Sequence, residues 1–304
     1  MDRAELKTIS LTVLLCMVWG STFPPIKILM NALPPFTVAG SRFLLASLFL
    51  LPIIYWRGLE FPRHREEIFS ILGFGLLQTT LMYAIFFWGV QYTSAGRAAI
   101  LLNTHPFLVA TLAHFYLPDD RISWTKVLGL VLGLAGMVFV AWDRLKGGVE
   151  GSLIGDLAMV ASAACWAVST VLGKKISEKV DVLILTTGQM LSGSFLLLAL
   201  GFLLERDRPF QVSVVVIVSF AYLVLLSTSF AFFLWFYLLE KNAASKLSAF
   251  LFLIPIFGVL SSHLVLGERI TVNLVWGVLL VGAGIVLVNR AGGGAILNRA
   301  VPPE

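Results

Sequence analysis

Charge is what this sequence has least of. Only 13% of its 304 residues are Asp, Glu, Lys or Arg, about half the share in an average soluble domain. So few charges cannot coat a water-soluble globule of this size, which excludes an ordinary soluble enzyme. A disordered chain is excluded too, because it would need more charge and less apolar bulk. Cysteine is nearly missing: Cys16 and Cys165 are the two present, which rules out a disulfide scaffold. What is abundant is apolar. Hydrophobic residues make up 58% of the chain and mean hydropathy is +0.92. The class that remains is a membrane protein with many spans and little soluble mass.

A membrane-crossing helix needs about 20 mostly apolar residues. Ten such stretches can be read, near 9–30, 35–56, 68–90, 95–117, 125–142, 152–174, 182–204, 213–239, 243–265 and 271–289. Residues 195–200 are apolar all round, whereas barrel strands would alternate. Arg3 and Lys7 before the first run fit a secretion signal. The run continues past Trp19 with no small-residue cleavage site, so the first helix is expected to stay. With the N-terminus inside, the inner loops collect most of the Lys and Arg residues, including Arg57, Arg63, Arg65, Arg121, Lys126, Lys174 and Lys241. The outer loops hold Arg97, Arg144, Lys146, Arg206, Arg208 and Arg269. An even number of spans then puts both termini in the cytoplasm. The net charge of +5 is therefore a topology signal, and its scatter over many loops argues against nucleic acid as a partner.

The chain is written twice. A shift of 147 places Trp19 on Trp166, Lys27 on Lys174, Arg42 on Gln189 and Trp88 on Trp235. A shift of 148 or 149 places Pro106 on Pro255, His114 on His263, Arg121 on Arg269 and Gly129 on Gly277. Five spans per copy is an odd number, so the second copy must lie upside down relative to the first. The predicted fold is an all-α membrane protein of ten transmembrane helices, arranged as two inverted five-helix repeats. Residues 1–146 form the first repeat, 147–291 the second and 292–304 a cytoplasmic tail. Inverted repeats are a recurring plan of secondary transporters, with the substrate site near the midplane between the halves. A duplication that merely doubled a stable bundle is the plainer alternative.

A family likeness rests on particular residues. The run Trp19-Gly20-Ser21-Thr22-Phe23, Lys27, Arg42-Phe43, the Pro106 and Pro255 helices, and the Gly267-Glu268-Arg269 turn, together with the five-plus-five plan, resemble the EamA-type branch of the drug/metabolite transporter superfamily. The resemblance covers nearly the whole chain and implies a ten-helix exporter of metabolites such as amino acids in a bacterial inner membrane. It further implies a central cavity surrounded by the first four helices of each half, with the fifth and tenth to one side. The second half departs from the pattern: Trp166-Ala167-Val168-Ser169 replaces Trp-Gly-Ser-Thr, and nothing matches Pro24-Pro25. Unequal gates are expected from this.

Residues that would carry transport are the polar and aromatic ones inside the spans. No Asp or Glu sits at a midplane position; Asp143 and Asp156 come nearest the membrane, which argues against a proton-coupled exporter of cations. Arg42 suits a clamp on a substrate carboxylate, or it snorkels to the interface. Lys27 follows two prolines that should bend the first helix, and it either faces a cavity or anchors at the interface. His105 either contacts substrate or bonds a freed carbonyl. Pro106 and Pro255 are candidate hinges, or static kinks. Trp19, Trp166 and Tyr83 are candidate aromatic walls, with Gln78, Asn103, Ser169 and Gln189 as polar groups for an amphipathic small molecule. Core packing is the bland alternative for the tryptophans.

The spacing of Gly129, Gly133 and Gly136, and of Gly277, Gly282 and Gly284, predicts packing seams, with a dimer interface as the weaker reading. Asp119-Asp120 and Glu268 read as turn caps. No metal, cofactor or nucleophile constellation is present, so an enzyme is not expected. The expectation is a monomer in the lipid bilayer that carries a small-molecule substrate outward, most plausibly an amino acid. The alternative is a lipid or drug translocator of the same build.

Overall fold

In this computed structural model residues 3–93, 95–145, 152–205, 210–267 and 271–291 are described. The tail at 292–304 and the Glu268-Arg269 turn lie outside them. Among the described residues ten helices are long and apolar enough to cross a membrane: α1 (Arg3–Ala32), α2 (Pro35–Trp56), α3 (Arg65–Tyr92), α4 (Arg97–Tyr116), α5 (Trp124–Trp142), α6 (Leu153–Ser177), α7 (Val182–Leu204), α8 (Val214–Lys241), α9 (Ala244–Val265) and α10 (Val272–Arg290). No strand occurs among those residues. The boundaries fall within a few residues of the sequence reading, except where polar residues such as Arg3 and Arg65 continue a helix beyond its apolar run.

Packing follows the repeat. Helix α1 lies against α8 and α9, and its repeat mate α6 lies against α3 and α4. Helix α2 packs on α7 and α8; its mate α7 packs on α2 and α3. With α9 against α4, these pairings close a ring in the order α1, α9, α4, α6, α3, α7, α2, α8. Helices α5 and α10 stay outside the ring and pack on each other. There Gly129 faces Gly284 and Gly136 faces Gly277, so the two helices run antiparallel. The shift of 148 carries one of these contacts onto the other. This is the local signature of a two-fold axis between inverted halves. Close approach requires the glycines: a Cβ on Gly136 would lie 2.8 Å from the carbonyl oxygen of Gly277. Gly282, expected in the same seam, has open space around it and takes no part. The seam is consumed inside one chain, so the dimer reading of these glycines is displaced.

Regular helix is interrupted at matched places. Helix α3 widens to i→i+5 bonding over Leu76–Leu81, and α8 does so over Leu223–Phe230. Helix α4, helical from two residues before its apolar span, breaks between Ala95–Leu102 and His105–Tyr116, while α9 breaks at Leu251–Leu253 before Ile254–Leu266, which runs one residue past its span. Pro106 and Pro255 open the second segments, where a missing N–H costs nothing. Helix α1 breaks between Gly20 and Phe23, ahead of Pro24-Pro25, but its mate α6 runs unbroken for 25 residues. The two halves therefore share a plan and differ in this hinge.

Two buried polar ties fix the ends. Glu205, at the end of α7, accepts hydrogen bonds from the backbone N–H groups of Phe36 (2.8 Å) and Thr37 (3.0 Å). It supplies the N-terminal cap that α2, preceded by proline, cannot make for itself. Asp120 is more than a local turn cap. It pairs with Lys126 at 2.7 Å, both side chains being at most 5% exposed, and accepts hydrogen bonds from the Ser245 backbone N–H at 2.7 Å and the Ser245 hydroxyl. The α4–α5 turn is thereby fastened to the start of α9.

Candidate functional site

The candidate residues converge where the two halves meet. Trp19 on α1 stands edge-on to Trp166 on α6, with ring centroids 5.6 Å apart, and to Phe232 on α8 at the same distance. Trp235 lies 5.9 Å from Trp19 and 6.2 Å from Trp166. Phe232 continues to Phe43 (5.7 Å) and Phe43 to Tyr83 (4.9 Å). The Arg42 guanidinium sits 4.7 Å from the Phe43 ring and 5.4 Å from that of Tyr83, within range of a cation–π attraction. At the other end His105 meets Trp166 at 6.0 Å. One chain of rings thus runs from a cation on α2 to an imidazole on α4.

These side chains reach the centre for local reasons. The widened turns of α3 and α8 rotate polar residues inward: Gln78, Thr79, Thr80, Ser227, Thr228 and Ser229 are all buried. Widened turns also free carbonyls, and the Trp19 indole N–H donates to the Ser227 carbonyl at 3.1 Å. His105 lies beside the break in α4, where its Nδ1 is 3.0 Å from the Leu102 carbonyl oxygen.

Several polar atoms of the site have no hydrogen-bond partner among the described residues. They are Arg42 Nε, His105 Nε2, Trp166 Nε1, Ser169 Oγ and Gln189 Nε2. The same holds for Asn242 Oδ1, Ser248 Oγ and Asn289 Oδ1, which lie nearer the N-terminal face. A buried, unsatisfied polar atom costs about 1–3 kcal/mol, so such atoms are few in folded proteins. Five of the eight unpartnered atoms fall on residues that the sequence marks as substrate candidates. Arg42, Trp166 and Gln189 offer N–H donors there. Gln189 is held in place by Thr79, whose hydroxyl donates to its Oε1 at 2.6 Å.

Not every candidate joins the cluster. Lys27 is exposed on the second segment of α1. Asn103 is half-buried and bonds the Ala99 carbonyl of its own helix at 2.8 Å. Trp88 and Trp235 are repeat mates with different fates: Trp88 is 42% exposed and Trp235 is 1% exposed. Trp19 and Trp166 both meet the α8 tryptophan, so only the second copy of this pair joins the cluster. The sequence reading did not single out Phe43 as a ring, Phe232 or Thr79. The matched polar triplets 78–80 and 227–229 were the available signal for the widened turns.

The centre is filled by rings in this conformation. A cavity of about 490 Å3 lies elsewhere, lined by Ser21, Pro24, Pro25 and Ile28 of α1, the first turns of α8, and Ser261 and Val265 of α9. Its walls are apolar, and at its rim Val214, Val218 and Val265 are exposed. At its floor Ser21 and Tyr222 share a hydrogen bond of 2.5 Å. No group of His, Cys, Asp and Glu that could hold a metal occurs among the described residues.

Comparison with known proteins agrees with this architecture. The sequence profile of the EamA-like transporter family matches twice, over residues 6–142 and 153–290. The chain belongs to the EamA-like transporter family. It is a multi-pass membrane transporter and not an enzyme. The uncharacterized transporter YvbV of Bacillus subtilis is 31% identical over 93% of this chain and 92% of its own length. A probable amino-acid metabolite efflux pump of Salmonella typhimurium is 27% identical over 91% of this chain and 93% of its own. A solved crystal structure at 19% identity superposes with a TM-score of 0.81, covering 94% of this chain and 96% of that one, a likeness of fold.

Proposed function

We propose that this transporter exports small amphipathic metabolites bearing a carboxylate, amino acids being the best fit, by alternating access between repeats 1–146 and 147–291. The observation that carries the reading is the set of unpartnered buried donors, Arg42 Nε, Trp166 Nε1 and Gln189 Nε2, set among aromatic rings. An anion satisfies such donors and a cation does not. The rings suit an apolar or aromatic body. The role of the Salmonella relative, whose name speaks of amino-acid metabolites, supports the same substrate class. The excess of basic residues on the loops of the N-terminal face supports a bacterial cell membrane with both termini in the cytoplasm. Pro106 and Pro255 would serve as paired hinges, because they stand at matched breaks in α4 and α9.

A lipid or drug translocator has one observation in its favour, the apolar crevice beside α1 and α8. None of the crevice residues belongs to the ring cluster, so the carboxylate reading stands first. Counterflow in proteoliposomes decides between them. Vesicles loaded with a panel of unlabelled amino acids should accumulate the matching radiolabelled one. Accumulation of none, with movement of a fluorescent lipid instead, would overturn the reading.

A further inference from the structure

Helices α6 and α8 stand on opposite sides of the ring, with three helices between them in either direction, yet their ends meet at the face that carries the N-terminus. The Lys174 ammonium donates hydrogen bonds to the carbonyls of Leu239 (2.7 Å) and Asn242 (2.6 Å), at the end of α8. Those carbonyls belong to the last turn and the C-cap of α8, whose carbonyls have no helical N–H to accept from. A cation there also meets the negative end of the helix dipole. Beside it Gly173 leaves room for two rings. A Cβ at that position would lie 2.8 Å from Phe236 and 3.0 Å from Phe74. Phe74 and Phe236 are 2% and 1% exposed, with centroids 5.6 Å apart. The side chains Phe74 on α3, Phe236 on α8 and Lys174 on α6 therefore fill the ring at one level.

The repeat shows what the other face has at the same level. A shift of 147 places Phe74 on Ala221 and Phe236 on Gly89. At this register neither ring has an aromatic mate; near the opposite face Phe36 of α2 meets Phe87 of α3 instead, with centroids 6.2 Å apart. Gly173 falls on Ile26, a residue that would not leave room for the Phe74 and Phe236 rings. Gly89 packs against Ala158 instead. Among the described residues the polar ties at that opposite face join neighbours in the ring: Asp156 on α6 pairs with Arg97 on α4 and accepts from the Thr93 hydroxyl beside α3 at 2.6 Å, and Glu205 on α7 caps α2.

We propose that Phe74, Phe236 and Lys174 form a gate that closes the N-terminal face, so that the resting transporter is sealed on that side and Lys174 must leave the α8 carbonyls before a substrate can pass there. Lys174 acts as a positioning residue that holds α6 to α8 and does not touch the substrate site. The proposal deepens the alternating-access reading above and rests on it only for the word substrate; the closure itself is a property of the chain.

The test needs no knowledge of the cargo. Thr170 is buried one helical turn from Lys174 on the midplane side. In a full-length Cys16→Ala, Cys165→Ala background, Thr170→Cys is labelled with a membrane-impermeant maleimide applied to the N-terminal face. Labelling should be slow, and at least tenfold faster when Lys174→Met or Phe236→Ala is added. Lys174→Arg, which keeps a cation, should stay closer to the parent. Elution as a single symmetric peak checks that each variant is folded. Equal labelling rates with Lys174 and with Lys174→Met or Phe236→Ala overturn the gate. A changed labelling rate with no counterflow for any amino acid would leave the gate standing and overturn the substrate reading.

Discussion

At the scale of single residues, Arg42 carries the sharpest expectation. Its guanidinium rests on Phe43 and Tyr83 with Nε unpaired. Charge-assisted hydrogen bonds contribute about 1.5–3 kcal/mol, so Arg42→Ala should lower kcat/KM for carboxylate substrates by roughly tenfold or more. Arg42→Lys should restore only part, because an ammonium lacks the planar fork. Initial counterflow rates measure both, and unchanged flux in Arg42→Ala would remove the clamp. Asp120 belongs to stability instead. Removing one partner of a buried ion pair costs about 3–5 kcal/mol, so Asp120→Ala should clearly lower the thermal unfolding midpoint in detergent. Residue types inside apolar spans were legible in the sequence, which is why Arg42, His105, Trp166, Ser169 and Gln189 could be named. The role of Asp120 was not, because its partner Ser245 is 125 positions away.

At the scale of elements, the α5–α10 seam makes opposite forecasts for two glycines of one helix. Gly284→Val places a branched side chain where a Cβ alone would lie 2.5 Å from the Gly129 carbonyl oxygen. Overpacking of this kind costs about 1–3 kcal/mol. Gly282→Val faces open space and should leave unfolding unchanged. Equal destabilisation by both would contradict the seam. Spacing alone could not separate these two glycines, since both recur near the helical period. The widened turns of α3 and α8 were hidden for a related reason. An i→i+5 turn changes which side chains face inward but leaves no composition mark beyond the polar triplets 78–80 and 227–229.

At the scale of the whole molecule, ten spans require both ends of the chain to lie on one side of the membrane. Protease-sensitive tags at the N-terminus and after Arg290 should be cut from the same face of sealed vesicles. Cleavage from opposite faces would contradict the ten-span topology. Membrane insertion, span count and the doubled plan were determined by sequence alone. They depend on apolar length and on repetition, and both are properties of the chain read one residue after another. Which side chains meet was decided only by tertiary structure. Trp235 turns to the centre while its mate Trp88 is exposed, and Phe74 meets Phe236 near one face while Phe36 meets Phe87 near the other. The physical reason is that two nearly identical repeats need not pack identically: small differences at the α1 break and in ring size are settled by contacts between helices far apart in the chain.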